Sequence, residues 1–434
     1  MAWRLLIEHI DVAQGDATFI LAEEYDPNPN SNTFAIQQQR SALIDGGGFS
    51  LSNDIHHRIN TVWGVNQLNV MAVTHYDADH FNGIRALLNI KTTTVYDNTL
   101  IFDQGEQGII EVWKTGGTRL RPLQIWSTFS NRESNYIAYL NAINSRGNGR
   151  QRVTEKVVSD CDLPHTGDLG ADGWLHSDCL VGQEILWYGT GAVLSDGAPK
   201  ITCIAANQHV LQAGGKKAHL PTGMGVDQRN EKSLAFLIQF NNFKYYVGGD
   251  IESNQEDGND KNNGIMHFLN PDNNSAAGRV LAMKISHHGS NRSTSADFVN
   301  RLRPSAAFIS CGINNSFGHP DQKVLDNLQR CESLQNYYLT EDRNYDDCIK
   351  RSGQDGVEPN IERAYSAKAT VAGAWGNPND IAPQLTEGHI RLIVSQEQSL
   401  NQVVGGLGLG GSRFSVSCYT ADMRTANNLT RNHL

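Results

Sequence analysis

The sequence predicts an α/β sandwich built on two mixed β-sheets, with ligand-type polar side chains gathered where strands end. Three observations carry this reading. Short apolar runs recur with turn residues between them, helical spacing follows directly after two of these runs, and His or Asp residues stand at the ends of three of them.

Residues 1–80 read as a β-rich opening, because the apolar runs at 3–10, 17–22, 41–44 and 68–74 keep ending in Gly, Asp or Asn. After His80, apolar Phe81, Ile84, Leu87 and Leu88 fall at helical spacing, so a strand, a short loop and a helix follow one another. Residues 100–200 are less periodic and read as an irregular insertion. Strand character returns at 201–206, 233–239 and 243–247, with Phe240-Asn241-Asn242 as a hairpin tip. Further strands at 280–286 and 306–310 run into His287-His288-Gly289-Ser290 and Cys311-Gly312, and a helix is expected over about 320–328. The tail has a polar, turn-rich loop at 346–383, then strands at 389–394 and 414–419 joined by a Gly-rich turn at 405–411.

The 434 residues include 36 Lys+Arg against 46 Asp+Glu, a net charge of −10, and 39% hydrophobic side chains. That composition excludes extensive disorder and fits one large domain with insertions or about two to three domains. No run reaches the roughly 18 apolar residues that span a bilayer, and the first ten residues are too polar for a secretory core. A cytoplasmic protein without a membrane partner is expected. Seven cysteines at irregular spacing argue for reduced thiols rather than a disulfide framework. The acidic balance disfavours indiscriminate binding to a phosphate backbone.

The sharpest signal is Thr74-His75-Tyr76-Asp77-Ala78-Asp79-His80. Four ligand-type side chains fall within six residues after an apolar strand. A tight loop lets them converge, and imidazole nitrogen with carboxylate oxygen suits Zn²⁺, Mn²⁺ or Fe. The alternative is a solvated acidic turn with incidental histidines. Asp250 after Gly248-Gly249 and His287-His288 after residues 283–286 repeat the pattern at two other strand ends. Each alone is an ordinary turn or packing residue; three together are not readily attributed to chance.

These stretches, with Asp11-Val12-Ala13-Gln14-Gly15-Asp16, Leu43-Ile44-Asp45-Gly46-Gly47, Asn230-Glu231-Lys232-Ser233-Leu234, Lys284-Ile285-Ser286-His287-His288-Gly289-Ser290 and Asn315-Ser316-Phe317-Gly318-His319-Pro320, resemble the metallo-β-lactamase-fold hydrolases, and within them the ComEC-like branch found with DNA-uptake channels. The resemblance covers residues 3 to about 340 outside the insertion. It implies an αββα sandwich of two mixed β-sheets flanked by helices, with a hydrolase domain at 1–345 and an extension at 346–434 whose two strands complete the sandwich.

By resemblance, two divalent metal ions, Zn or Mn, are implied. His75 and Asp77 would hold one; Asp79, His80 and one of the paired histidines, His288 in preference to His287, would hold the other, with Asp250 bridging. Asp16 and Asp45 would orient the ligating imidazoles from behind, or else are turn formers. Asp77 stands where the β-lactamase branch has His, which enriches the site in oxygen and counts against a β-lactam substrate. His209 is the candidate for an intervening ligand.

The implied function is a metal-dependent phosphodiesterase or nuclease using a metal-bridging hydroxide as nucleophile, acting on a phosphoester substrate such as DNA or RNA. Asp79 is expected among the catalytic residues. His287 or Lys284 would meet the phosphate, and His319 either lines the same cleft or holds its own loop. An ester, lactone or thioester hydrolase on the same metals is the alternative. A third reading is a regulatory subunit with a protein partner, for example in a bacterial defence system. Arg292, Arg301 and Arg303 are candidate basic contacts, or else a solvated helix face. Cys161, His165, His176 and Cys179 offer spacings for an accessory zinc, although packing roles fit them better, and Cys311 is expected to be a packed residue rather than a nucleophile.

Overall fold

The computed structural model describes residues 2–26, 36–65, 68–75, 77–89, 111–114, 154–158, 176–177, 181–182, 184, 197–206, 208–220, 230–258, 263–271, 278–312, 315–341, 364–366, 389–396, 414–419 and 430–433. The chain opens with an antiparallel meander, β1 (Ala2–His9), β2 (Thr18–Tyr25) and β3 (Ile36–Ile44), and β4 (Val70–Val73) then runs parallel to β3. Short parallel strands β5 (Glu111–Lys114), β6 (Thr154–Val158) and β7 (His176–Ser177) extend this sheet. The 100–200 stretch, read from sequence as irregular, therefore adds strands where it is described.

The second sheet holds β8 (Lys200–Ala206), β9 (His209–Leu211), β10 (Lys217–His219), β11 (Ala235–Phe240), β12 (Phe243–Gly248), β13 (Ala282–Lys284), β14 (Ala306–Ile309), β15 (Asn336–Leu339) and β16 (Ala364–Ser366). Its order is β10-β9-β8-β11-β12-β13-β14-β15-β16. The tail strands β17 (His389–Ser395), β18 (Phe414–Tyr419) and β19 (Thr430–His433) return to the first sheet, where β17 pairs with β1, giving the order β19-β18-β17-β1-β2-β3-β4-β5-β6-β7. Both sheets mix parallel and antiparallel pairs, the αββα arrangement expected. The 405–411 turn and most of 346–383 lie outside the described residues.

Alternation along the opening strands shows why they read as nearly unbroken apolar runs. Leu5, Ile7, Ile20 and Ala22 enter the core between the sheets, whereas Leu6, Phe19 and Leu21 face an outer core with Ile55, Phe81, Ile84 and Leu87. That outer core is closed by α1 (Ser52–His57) and α2 (Ala78–Asn89). On the far side, α3 (Ser253–Glu256), α4 (Ile265–Leu269), α5 (Ala296–Leu302) and α6 (Gln322–Arg330) cover the second sheet, and Phe298 meets Tyr246 edge-on at 5.4 Å. Ser295 and Asp321 cap α5 and α6 by accepting from the Phe298 and Lys323 amides.

One buried position breaks the apolar alternation. Glu8 points into the outer core, where Arg58 pairs with it, Arg391 donates at 3.0 Å and the Trp63 indole donates at 3.1 Å. Burial opposes its charge, yet the two guanidinium groups hold the carboxyl down at about 2.

The helix after the first cluster begins earlier than its apolar spacing indicates. The His80 and Phe81 amides both donate to the Asp77 carbonyl, so Asp79 and His80 sit in the first turn of α2 rather than in a loop. That turn is polar because its side chains face the opposite sheet's strand ends instead of the core. The turn between β11 and β12 is shortened to Asn241-Asn242, with Asn241 at φ +51°.

Backbone contacts lock α2 against the ends of β2 and β3. The Asp16 amide donates to Asp79, Gly46 to His80, Gly47 to Asp16 and Gly83 to Gly47, at 2.7–3.1 Å. Gly83 lies so close that a Cβ there would stand 1.6 Å from the Gly46 carbonyl oxygen. Gly83→Ala must therefore push helix and strand apart, and a loss of about 3 kcal/mol or more is expected, by overpacking. Thermal unfolding checks this; an unchanged midpoint would contradict the tight backbone approach.

Candidate metal centre

The site forms where both sheets present strand ends. Strands β3 and β4 run parallel in one sheet, and β12, β13 and β14 run parallel in the other. Their carboxyl ends meet, with Asp45 after β3, His75 and Asp77 after β4, Asp250 after β12, His287 and His288 after β13, and Ser310 after β14. The edges are stitched together: the Leu234 amide donates to the Thr74 carbonyl, Gly249 to Leu234 and His287 to Gly249. A Cβ on Gly249 would stand 2.6 Å from the Thr74 side chain, so glycine permits this approach.

Three imidazoles turn Nε2 inward, and each has its Nδ1 engaged behind. For His75, Nδ1 lies 3.2 Å from the Thr74 hydroxyl, which itself donates to Asp45 at 2.6 Å. That hydroxyl accepts from His75 Nδ1–H, leaving the Nε2 lone pair directed into the site. For His80, Nδ1 donates to Asp45 at 2.9 Å, and for His288, Nδ1 donates to the Ser310 carbonyl at 2.8 Å. Partners of this kind fix tautomer and ring orientation at metal sites. His287 and His288 adopt φ of +51° and +52°, a left-handed pair that costs on the order of 1–3 kcal/mol per residue and aims consecutive rings differently.

The inward atoms form two sets that share Asp250. In one, His75 Nε2 lies 3.7 Å from Asp250 Oδ2 and 3.9 Å from Asp77 Oδ2. In the other, His80 Nε2 lies 3.3 Å from Asp250 Oδ1 and 3.2 Å from His288 Nε2, which is 3.4 Å from Asp79 Oδ2. Ligands at about 2.1 Å around a four-coordinate ion stand about 3.4 Å apart, which the 3.2–3.4 Å separations of the second set match; those around His75 are longer, and among the described residues the ligand atoms that all lie within 4.8 Å of one another belong to Asp16, His80, Asp250 and His288. His75 Nε2 and Asp250 Oδ1 are buried without a hydrogen-bond partner, as ligand atoms facing an ion would be.

Electrostatics point the same way. Burial and the neighbouring His80 push His75 down to about 4, keeping it neutral. Burial also opposes charge on His80 and His288, but the surrounding carboxylates outweigh it. Asp250, Asp45 and Asp79 raise His80 well above the usual range, and Asp250 with Asp16 raises His288 to about 9. Asp79 and Asp250, despite burial, are held well below the usual carboxylate range, first by His80. The buried carboxylates draw positive charge into the pocket, which a metal ion would supply in place of these protons.

Asp16 and Asp45 lie behind the imidazoles. Asp16 approaches Nδ1 of both His80 and His288 at 3.7 Å, and its carboxylate also belongs to a compact buried group with His80, Asp250 and His288. Lys284 does not stand where a phosphate contact requires. Its ammonium is buried, paired with Asp16, and donates to the Gly248 and Ile285 carbonyls at 3.2 and 3.3 Å. The expected substrate role is replaced by neutralisation of Asp16.

His287 sits on the outer side, its Nε2 3.7 Å from Asp250 Oδ2 and 3.2 Å from the Asn230 amide nitrogen, its Nδ1 3.8 Å from Glu252. Burial lowers its pKa, and burial raises that of Glu252 to about 7 against the pull of Arg292 at 2.8 Å. His319 lies edge-on to His287 at 5.4 Å and is pushed down to about 4 by burial and by His288 and His287. His209 instead stacks on His219 across β9 and β10 at 4.5 Å. Arg301 donates to the Asn270 and Pro271 carbonyls, and Arg303 is the left-handed cap of α5. Cys311 is buried with its thiol donating to the Glu341 carbonyl. The Cys161, His165 and Cys179 candidates, and the side chain of His176, lie outside the described residues.

Asn230, Glu252, Thr74 and Ser310 carry no ligand signature of their own in sequence: Asn230 and Thr74 appear there only within longer motifs, and Glu252 and Ser310 become visible only through the fold. Because Lys284 counters a buried carboxylate, Lys284→Met should cost about 3–5 kcal/mol, the range for breaking a buried pair. Urea unfolding measures it, and wild-type stability with lost activity would restore the phosphate-contact role.

No family model matches the chain. ComE operon protein 3 of Bacillus subtilis (strain 168) is 32% identical over 123 residues, 28% of this chain and 14% of that protein's length. The match thus spans a small part of that relative. Among solved structures, unliganded yeast PDE1 is 10% identical, with 89% of this chain and 98% of that one covered at a TM-score of 0.33. The metallo-β-lactamase fold protein YhfI of Bacillus subtilis gives 9% identity, 83% and 95% coverage and a TM-score of 0.31. Zn(2+)-bound PqqB of Methylobacterium extorquens gives 10%, 77% and 88%, and 0.31. Such low TM-scores add no weight, and the fold assignment rests on the strand order and the paired sheet ends. On those grounds the chain is an αββα sandwich of two mixed sheets, and over 28% of its length it is similar to ComE operon protein 3.

Proposed function

We propose that the chain is a metal-dependent phosphodiesterase with nucleic acid as its substrate class, using two divalent ions, zinc or manganese. The observation that supports this reading is the division of inward-facing atoms into two sets sharing Asp250: His75 and Asp77 on one side, and Asp79, His80 and His288 on the other. A pair of cations held there supplies a water of lowered pKa and neutralises charge on phosphoryl oxygens.

The chain's own residues then divide the work. Asp45, Thr74 and the Ser310 carbonyl hold the three inward imidazoles in the tautomer that leaves Nε2 free. In this reading His287, whose Nε2 lies 3.7 Å from Asp250 Oδ2, would exchange a proton with the leaving oxygen. Asn230 can serve either form of that nitrogen: its Nδ2 lies 3.2 Å away as a donor, and rotation of the amide offers Oδ1 as an acceptor. Glu252 Oε1 stands 3.8 Å from Nδ1, beyond hydrogen-bond distance, so its carboxyl acts on that ring through its charge and not through a shared proton. The carboxylate-rich ligand set favours phosphoester over acyl chemistry, because hard oxygen donors suit ions that clamp phosphoryl oxygens.

Asp250→Ala should remove bound metal and lower hydrolysis of bis-p-nitrophenyl phosphate about 10³-fold or more. His287→Gln should retain metal and lower kcat about 10²–10⁴-fold, the usual range for a lost acid–base group. Metal content by mass spectrometry with steady-state rates on this diester and on single-stranded DNA, duplex DNA and RNA provides the check. Full activity in Asp250→Ala, or no turnover of any diester by metal-loaded wild type, would sink the reading.

A further inference from the structure

Phe317 is the most exposed large hydrophobic side chain among the described residues, at 71%. It is not a loose surface residue. Its ring stacks on His319 at 5.7 Å and 21° from parallel, and His319 in turn stacks on His288 at 6.3 Å and 19°. A column of three rings thus runs from solvent to an imidazole whose Nε2 faces Asp79 and Asp250. One face of Phe317 rests on His319, and its high exposure leaves the remainder of the ring open.

The loop carrying it is held from several sides. The Asn315 amide donates to the Gly312 and His319 carbonyls at 2.8 and 2.7 Å and accepts from the His319 amide at 2.8 Å. Gly318 adopts φ +78°, which reverses the backbone between the two stacked rings. The Asp321 amide donates to the Gly289 carbonyl at 2.8 Å, tying the loop to the segment that carries His287 and His288.

We propose that Phe317 is a stacking platform for a nucleobase adjacent to the phosphodiester held at the metal centre, which makes single-stranded nucleic acid the favoured ligand. The proposal rests on the phosphodiesterase reading and names the substrate feature it selects. In a duplex the face this ring needs is covered by stacking on the neighbouring base pairs, whereas an unstacked base of a single strand offers it. Every base has a π-face, so the platform tolerates sequence. With a net charge of −10 the chain gains little long-range attraction for a polyanion, so binding depends on short-range contacts such as this one.

The test is equilibrium binding, which does not depend on turnover. Fluorescence anisotropy compares a single-stranded deoxyoligonucleotide with an abasic one of equal length, and 2-aminopurine quenching reports stacking directly. Wild type should prefer the base-bearing strand on the order of tenfold, in line with the contribution of a stacked base. Phe317→Ala and Phe317→Leu should bring that preference close to unity, and Phe317→Trp should keep it. The leucine variant retains apolar volume without a π-face, so it separates stacking from packing, and thermal melting establishes that each variant is folded. No preference in wild type, or preference and quenching retained in Phe317→Ala or Phe317→Leu, would overturn the platform. Failure of the phosphodiesterase reading shows separately, as absent hydrolysis by metal-loaded wild type with base preference intact.

Discussion

The structure depends on a concentration of negative charge that it buries and must offset. Asp16, Asp45 and Asp250 are nearly inaccessible to solvent, and Asp79 stands beside them. In a low-dielectric cleft, carboxylates this close persist only with matching positive charge or hydrogen bonds. Lys284 serves Asp16, while Thr74 and His80 serve Asp45. Asp250 is left facing the Nε2 atoms of His75, His80 and His288, its Oδ1 without a hydrogen-bond partner. The raised pKa values of His80 and His288 express the same deficit in protons.

This constraint explains features that otherwise look unrelated. Two sheets must bring their parallel strand ends to one place, and glycine permits the close approaches: Gly249 lies against Thr74 across the sheets, and Gly83 of α2 lies against Gly46 at the end of β3. The histidine pair departs from extended backbone into the left-handed region so that one ring enters the cluster and the next stays at its rim. Asp45, serving His80 directly and His75 through Thr74, couples the two ligand sets to a single rigid strand end. Among the described residues no helix is long and apolar enough to cross a membrane.

Much of this was legible in the sequence because ligand-type residues are dense and local. His75, Asp77, Asp79 and His80 lie within one turn of chain, and Asp250 and His288 follow apolar runs that could only be strands. What escaped depends on contacts between distant segments. Lys284 reads as an available cation at a strand end, and only the fold brings Asp16 to it. The early start of α2 escaped because its first turn serves the site rather than the core, so it lacks the apolar spacing by which helices are recognised. Asn230, Glu252 and Ser310 carry ordinary polar side chains whose roles follow from position alone. The short strands β9, β10 and β15, three or four residues each, are too brief for a periodic signal.

The central claim is that the buried carboxylates and imidazoles enclose cations, and anomalous X-ray scattering from crystals grown with Mn²⁺ or Zn²⁺ tests it most directly. The account predicts two anomalous peaks on either side of Asp250, one within about 2.0–2.3 Å of His75 Nε2 and the other at that distance from His80 and His288 Nε2. A cleft with no anomalous signal at saturating metal, or an ion bound away from Asp250, would contradict it.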